Sequence, residues 1–339
     1  MNRPQEQLRR DAHGRPQAVQ THDVTVVGSV NADLAIVLAE LPPAGQTVRG
    51  GDAVRGLGGK GANQAVACAR LGRSTAMVAA VGDDEEGRGL RAALAAEGID
   101  VEHVTGIDVA SGVAVVLVHS GESTIVLSPG ANDHLDDARV RAAVAAVSSA
   151  RVVLLQCEVP DEALLAAAAL CTGLLVLNPA PARVLPPALL ARADLLVPNA
   201  GELAVLAGCD VALDVDGIVA QARAVRPTGT TVVTRGALGS VVITPGGHAE
   251  IPAVPAHLVD ATAAGDSFVA ALADALLAGA GLVDAARWAA TVAAVTVSRD
   301  GASVSLPLRH EVPGVMPGVV PGVVAEVAGE TGSIEVAEE

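Results

Sequence analysis

The sequence predicts an α/β fold of three layers, α/β/α, around a mostly parallel central sheet, with a small β-sheet lid set apart from it. Three observations lead there. From about residue 136 onward, short apolar runs alternate with stretches of helical periodicity, the pattern of a parallel sheet covered on both faces. Residues 24–30 form a β-branched apolar run after a polar start, as a buried first strand does. Residues 113–119 and 124–127 flank Ser120-Gly-Glu-Ser123 as a hairpin, and the apolar run 34–38 can join it in a second sheet.

In chain order, residues 1–22 read as a polar, disordered lead-in, and the first strand ends on Asn31-Ala-Asp33. Prolines and glycines then lead to the turn Gly58-Gly-Lys-Gly-Ala-Asn63, followed by a helix that Gly72 closes. A strand over 75–81 and a helix over 85–97 come next, before the hairpin. The alternating half places strands at 152–157, 174–177, 195–197 and 230–234, with helices at 137–147, 161–171, 200–207 and 214–224. Residues 240–244 and 248–254 form a second hairpin, and helices over 266–278 and 282–297 follow. Residues 309–339 carry Val-Pro-Gly-Val repeats and an acidic end, and read as a flexible tail.

Composition removes several function classes. The net charge of −16 argues against a nucleic-acid or anionic-membrane partner. The start of the chain lacks the apolar stretch of a signal peptide. Residues 163–182 carry no charge, but Thr172-Gly173 and Asn178-Pro179 divide them into helix, turn and strand rather than a membrane span. Cys68, Cys157, Cys171 and Cys209 are widely spaced and form no CxxC pair, which reads as reduced thiols in a cytoplasmic protein. With 51% hydrophobic but 1% aromatic residues, the core has to be built from Ala, Val and Leu.

The candidate chemistry centres on Asp260-Ala-Thr-Ala-Ala-Gly-Asp-Ser-Phe268, where small residues run into a helix start. Unpaired N–H groups and the positive dipole end suit an anion there. Asp266 in the same place makes sense as a base facing a phosphoryl group in flight, or simply as a helix cap. Lys60 is the only lysine among 22 basic side chains, and it sits inside a glycine turn where a forked arginine would not fit. Asn31, Asp33, Lys60, Asn63 and Glu158 offer the donors and acceptors that sugar hydroxyls need; Glu158 reads equally well as an exposed loop carboxylate. Asn199 and Glu202 read as a capping pair or as an outer-sphere Mg²⁺ pair. Thr234-Arg-Gly-Ala-Leu-Gly239 reads as a phosphate-holding loop or as a hairpin turn. Neither a GxxxxGK[ST] loop nor a dinucleotide GxGxxG follows the first strand.

Taken together, these residues resemble the ribokinase-like (phosphofructokinase-B type) carbohydrate kinases. The resemblance spans residues 23–308 and rests on Gly28-Ser-Val-Asn-Ala-Asp33, Gly58-Gly-Lys-Gly-Ala-Asn-Gln-Ala65 and Val81-Gly-Asp-Asp84. It continues through Gly130-Ala-Asn132, Gln156-Cys-Glu158, Asn178-Pro-Ala-Pro-Ala182, Pro198-Asn199, Glu202 and Ala263-Ala-Gly-Asp266. It implies ATP-dependent phosphorylation of ribose at O5, with Asp266 as base and the backbone of Ala263, Ala264, Gly265 and Asp266 as anion hole. Asn31, Asp33, Gly59, Lys60, Asn63 and Glu158 would hold the sugar. Asn199, Glu202, Thr234, Arg235, Gly236 and Gly239 would lie along ATP and Mg²⁺.

The resemblance further implies activation by K⁺ near Asp260, Thr262, Thr296, Arg299, Gly301 and Ser305, mostly through backbone oxygens. It implies a lid from about 31–58 and 112–128 that closes over the sugar and pairs two subunits in a homodimer. Ala261 and Ala290 depart from residues the family often carries. Another pentose such as deoxyribose, or a nucleoside, is the alternative substrate. A catalytically silent sugar-binding protein on the same fold is the alternative of another class.

Overall fold

The computed structural model describes residues 21–119 and 122–314. The Val-Pro-Gly-Val repeats beyond them, nearly all of the lead-in and the tip of the first hairpin lie outside the described residues.

The chain begins with β1 (Val24–Val27) and passes into β2 (Asn31–Val37) and β3 (Val54–Gly58). Helix α1 (Lys60–Arg70), β4 (Thr75–Gly82), α2 (Glu85–Ala96) and β5 (Asp100–Ile107) follow, then β6 (Gly112–His119) and β7 (Glu122–Ser128). The second half runs through α3 (Asp137–Ala142), α4 (Val144–Ser149), β8 (Val152–Gln156), α5 (Asp161–Leu170), β9 (Leu174–Asn178), α6 (Pro187–Arg192) and β10 (Leu195–Leu196). It continues with α7 (Ala200–Ala207), α8 (Val215–Val225), β11 (Thr230–Thr234), β12 (Ser240–Thr244) and β13 (Gly247–Ile251), and closes with α9 (Ala264–Leu277) and α10 (Leu282–Thr296).

A nine-stranded sheet in the order β13-β12-β11-β10-β9-β8-β1-β4-β5 forms the body. It is parallel except where β12 pairs antiparallel with β11 and β13. Central strands such as β1 and β8 are buried along their whole length, which is why they read as unbroken apolar runs rather than alternating ones. One face packs Leu154 and Met77 against α1, α2, α9 and α10, with the only Phe and Trp of the chain, Phe268 and Trp288, in that layer. The other packs Leu155 and Val153 under α3, α4, α5 and α6. A four-stranded sheet, β3-β2-β6-β7, stands apart as the lid. Among the described residues no helix is long and apolar enough to cross a membrane. The uncharged stretch 163–182 divides into most of α5 and then β9.

Several expectations need correction. The helix expected over 137–147 is two helices, because the backbone leaves helical geometry at the buried Ala143 (φ −91°, ψ 19°). Strand β3 was not expected: its two glycines and largely exposed face hide any alternation. Strand β5 lies at the edge of the large sheet and mixes charged with apolar residues. Helix α6 was masked by Pro186 and Pro187, of which Pro187 starts the helix as a first-turn proline can.

The folded body also reaches past both expected limits. His22 is buried, with Nε2 3.2 Å from Asp100 Oδ2. Arg309 donates through Nε to the Leu71 carbonyl (2.7 Å), through Nη2 to both oxygens of Asp274 (2.6 Å each), and stacks over Trp288. Asp274 is fully buried, and it also accepts from Arg73 Nε (2.6 Å) and Trp288 Nε1 (3.1 Å).

Candidate functional site

The site forms where strand ends, a glycine turn and a helix start converge. In an open α/β sheet, ligand groups collect beyond the carboxyl ends of the strands. Here Asn31 follows β1, Glu158 follows β8, Asn178 ends β9, and Asn199 bridges in parallel to Thr234 at the end of β11. All of these residues line one cavity of about 310 Å³.

The glycine turn ahead of α1 completes its wall. Gly59 takes a left-handed φ of 87° that a side chain would strain. A Cβ on Gly61 would lie 2.6 Å from Ser29 N, so α1 can approach the end of β1 only with glycine there. Glu158, read two ways from sequence, faces inward. Its Oε2 accepts from the Ser29 hydroxyl (2.5 Å) and the Lys60 amide (3.1 Å). Asn31 is held by Asn132, whose Nδ2 donates to Asn31 Oδ1 (2.7 Å) while its Oδ1 accepts from the Val30 amide (2.9 Å).

The lid supplies the apolar cover. Asp33, Ala114, Val116, Ile125 and Leu127 occupy paired positions on one face of the small sheet and line the cavity. The strand period of two puts them there together.

On the opposite wall, α9 starts at Ala263, which caps the helix in a left-handed conformation (φ 61°) without a side-chain hydrogen bond. Among the described residues, no backbone acceptor faces the amides of Gly265 and Asp266, whereas the Ala264 N–H already donates to the Ala261 carbonyl (3.2 Å). The expected anion hole therefore consists of fewer free amides than its four residues. Asp266 sits in the first turn and is only 6% exposed. Its Oδ2 accepts from Asn63 Nδ2 (3.0 Å) and its Oδ1 from Gln64 Nε2 (3.1 Å).

The electrostatics follow from crowding several charges into one partly dry space. Burial raises the Asp266 pKa, against the pull of Lys60, Asn63 and Gln64. Burial opposes the Lys60 ammonium, but Asp266, Glu158 and Glu202 outweigh it, so its pKa ends above the ordinary value. Asp33 is pushed up to about 7, first by burial and then by the charges of Glu158 and Asp266.

A consequence for stability can be tested. Between about pH 4 and pH 7 the unfolded chain has lost the Asp33 proton while the folded chain keeps it, so folding stability falls as pH rises through that window. Asp33→Asn lacks this loss. Its thermal midpoint is expected to rise above that of the wild type at pH 8, with the difference disappearing below pH 4. Calorimetry across that range checks the prediction, and an equal offset at every pH would contradict it.

Glu202 shows the capping reading of its motif directly. Its Oε2 accepts from the Asn199 amide (2.7 Å) and Asn199 Oδ1 accepts from the Glu202 amide (2.8 Å), a capping box. Both residues also line the cavity, where burial raises the Glu202 pKa against the Asn199 amide and Lys60.

Arg235, Gly236 and Gly239 do not line the cavity. The Arg235 guanidinium donates to the Leu238 carbonyl and to Glu250, bracing its own turn. Gly236 and Gly239 supply the positive φ values (56° and 80°) that the turn from β11 to β12 requires. The three residues thus form a turn at the rim of the site, and of that motif Thr234 lines the cavity itself.

Asp260 ties two loops together beside α9: its Oδ1 accepts from the Thr262 amide (2.8 Å) and its Oδ2 from the Gly301 amide (3.0 Å). The Thr296 and Ser305 hydroxyls donate to the carbonyls of Val292 and Ala302, and Arg299 pairs with Glu311. Among the described residues no cluster of three or more His, Cys, Asp or Glu could hold a metal.

Some functional groups carried no role in the sequence reading. Gln64, Gln156 and Asn178 form a buried amide chain behind Asp266. A signal for them was present, since Gln156 and Asn178 end two otherwise apolar strands and pair in register, where an isolated amide needs a partner.

Comparison with known proteins gives the family of the chain. The sequence profile described as pfkB family carbohydrate kinase matches residues 21–309. A ribokinase from Haemophilus influenzae is 37% identical over 295 residues, covering 85% of this chain and 96% of the relative. A deoxyribokinase from Salmonella typhi is 32% identical, covering 84% of this chain and 95% of the relative. The solved structure of Arabidopsis thaliana ribokinase complexed with ribose and ATP superposes with a TM-score of 0.78 at 30% identity, covering 86% of this chain and 98% of that one. With the family profile spanning nearly the whole described body, the chain belongs to the pfkB family of carbohydrate kinases.

Proposed function

We propose that this chain transfers the γ-phosphoryl group of ATP to the 5-hydroxyl of ribose. The observation that carries the reading is Asp266, buried in the first turn of α9 beside free backbone amides and in one cavity with Asn31, Asp33, Lys60, Asn63 and Glu158. Sugar binding alone does not require a base beside anion-binding amides at a helix start. A kinase does, because phosphoryl transfer needs a positioned base and donors for the charge on the moving group.

In the step itself, Asp266 takes the O5 proton as the bond from O5 to phosphorus forms. The bond from phosphorus to the bridging oxygen breaks, and its electron pair leaves with ADP. The amides of Gly265 and Asp266 face the transferring group at the positive end of α9. Asn31, Asp33, Lys60, Asn63 and Glu158 hold the sugar hydroxyls, and Ala114, Val116, Ile125 and Leu127 of the lid exclude water. Asn199 and Glu202 are the residues that would hold Mg²⁺, through water, on the nucleotide phosphates. That ion, when bound, neutralises charge on the phosphoryl oxygens.

The ribokinase relatives support ribose as the sugar, and the deoxyribokinase relative keeps deoxyribose as the second reading. The loops joined by Asp260 would take K⁺ and stiffen the backbone ahead of α9. The exposed Val37, Val54 and Val126 of the lid support pairing of two copies through that sheet. Free cysteines, three of them buried, fit a cytoplasmic enzyme.

The test is ATP consumption with ribose, deoxyribose or a nucleoside, each with K⁺ or with only a bulky organic cation. Turnover that depends on ribose and rises with K⁺ is the expected result. Turnover with the nucleoside alone would replace the substrate. Absence of turnover with all three, despite ribose stabilising the fold, would favour a sugar-binding protein.

A further inference from the structure

We infer that Gln64, anchored by Gln156 and Asn178, is a positioning residue that aims the Asp266 carboxylate at the sugar and keeps it free of its proton. The inference rests on the reading of Asp266 as the base.

The geometry is a continuous chain of buried amides. Gln156 Nε2 donates to Gln64 Oε1 (2.6 Å). Gln64 Nε2 donates both to Asp266 Oδ1 (3.1 Å) and to Asn178 Oδ1 (3.1 Å). Asn178 Nδ2 ends the chain on the Val197 carbonyl (2.8 Å). One end is Gln156, whose buried Oε1 has no hydrogen-bond partner, and the other two ends are groups that only accept, a carboxylate and a backbone carbonyl. Those ends fix which way each of Gln64 and Asn178 points. Reversing Gln64 would set its oxygen against the Asp266 carboxylate and break the bond to Gln156 as well.

The arrangement has a chemical purpose that core packing does not explain. Gln64 and Gln156 are fully buried, where an unpaired amide is costly and an apolar residue of the same volume would pack as well. Gln64 does not line the cavity, so it cannot be retained to touch sugar or nucleotide. Its contact with chemistry is through Asp266 Oδ1, while Asn63 holds Oδ2 from the other side. With each oxygen held by one amide, the plane of the carboxylate is fixed where Asp266 lines the cavity.

The same two donors favour the charged form. The groups with charge that bear on Asp266 are Lys60, which favours ionisation, and Glu158, Asp33 and Glu202, which oppose it. Burial opposes it as well. A neutral amide donor offsets these without placing a second cation beside the base, which would weaken it as a proton acceptor.

The test is the pH dependence of kcat/KM for ribose in the wild type, in Gln64→Met and in Gln64→Leu. A hydrogen bond to a charged group is worth enough to move the acid limb upward by about one to two pH units in Gln64→Met. The same bond accounts for an expected fall of about 10–100-fold in kcat at neutral pH, with little change in KM. Gln64→Leu also removes the donor and adds no charge beside Asp266, so its limb moves upward as far. It carries the test should the methionine variant fail to fold.

A residue that only fills the core would lower stability and leave the limb in place. An unshifted limb in folded variants of an active enzyme overturns the role of Gln64 alone. A wild type without ribose turnover overturns the kinase reading and takes this inference with it.

Discussion

Asp266→Ala is expected to lower ribose-dependent ATP turnover by roughly 10²–10⁴-fold, the range associated with losing a positioned general base. Ribose binding should persist. The sugar would keep Asn31, Asp33, Lys60 and Glu158, all of which line the cavity independently of Asp266. The variant also removes a carboxylate that opposes ionisation of Asp33 and supports the Lys60 charge. A modest change in the pH dependence of binding therefore accompanies the loss of rate. Asp266→Asn keeps the volume and separates the two effects, because it cannot accept the proton but preserves the packing at the start of α9. Rate measurements beside calorimetric ribose titration check the split. Near-normal turnover in either variant would remove Asp266 as the base.

The second large effect is on stability. Asp274→Ala is expected to cost about 3–5 kcal/mol, the usual penalty for removing one partner of a buried ion pair. Asp274 is fully buried and neutralises both Arg73 and Arg309 while accepting from Trp288. Its removal leaves Arg73, itself mostly buried, facing an apolar layer. It also loosens the link from Arg309 to α9, which holds residues 309–312 against the body. Urea unfolding measures the cost. A loss below about 1 kcal/mol, the level of an exposed pair, would mean that the cluster is solvated in solution.

Much of the fold was legible because burial and periodicity agree. Strands such as β8 and β9 are apolar on both faces, and helices α2, α7 and α8 begin on Asp84, Asn199 and Asp214, whose side chains cap them. The unread elements are those where exposure or proline blurs the pattern, as in β3, β5 and α6.

The site divides in a similar way. Asn31, Asp33, Lys60, Asn63 and Glu158 are polar residues at strand ends or in a glycine turn, and local sequence marks them. The pairing of Gln64 with Asp266 spans 202 residues, and nothing local announces it. Arg235, Gly236 and Gly239 show a limit of local sequence. A glycine-rich stretch after a strand looks the same whether it cradles a phosphate or only turns the chain, and the positive φ of Gly236 and Gly239 serves either.

The most direct test of the central claim is identification of the product formed from ribose and Mg-ATP. The account predicts a sugar monophosphate whose phosphorus couples, by NMR, to the carbon-5 protons, formed in step with ADP and lost in Asp266→Asn. Phosphate attached at carbon 1, or ADP released with free phosphate and unchanged sugar, would contradict it.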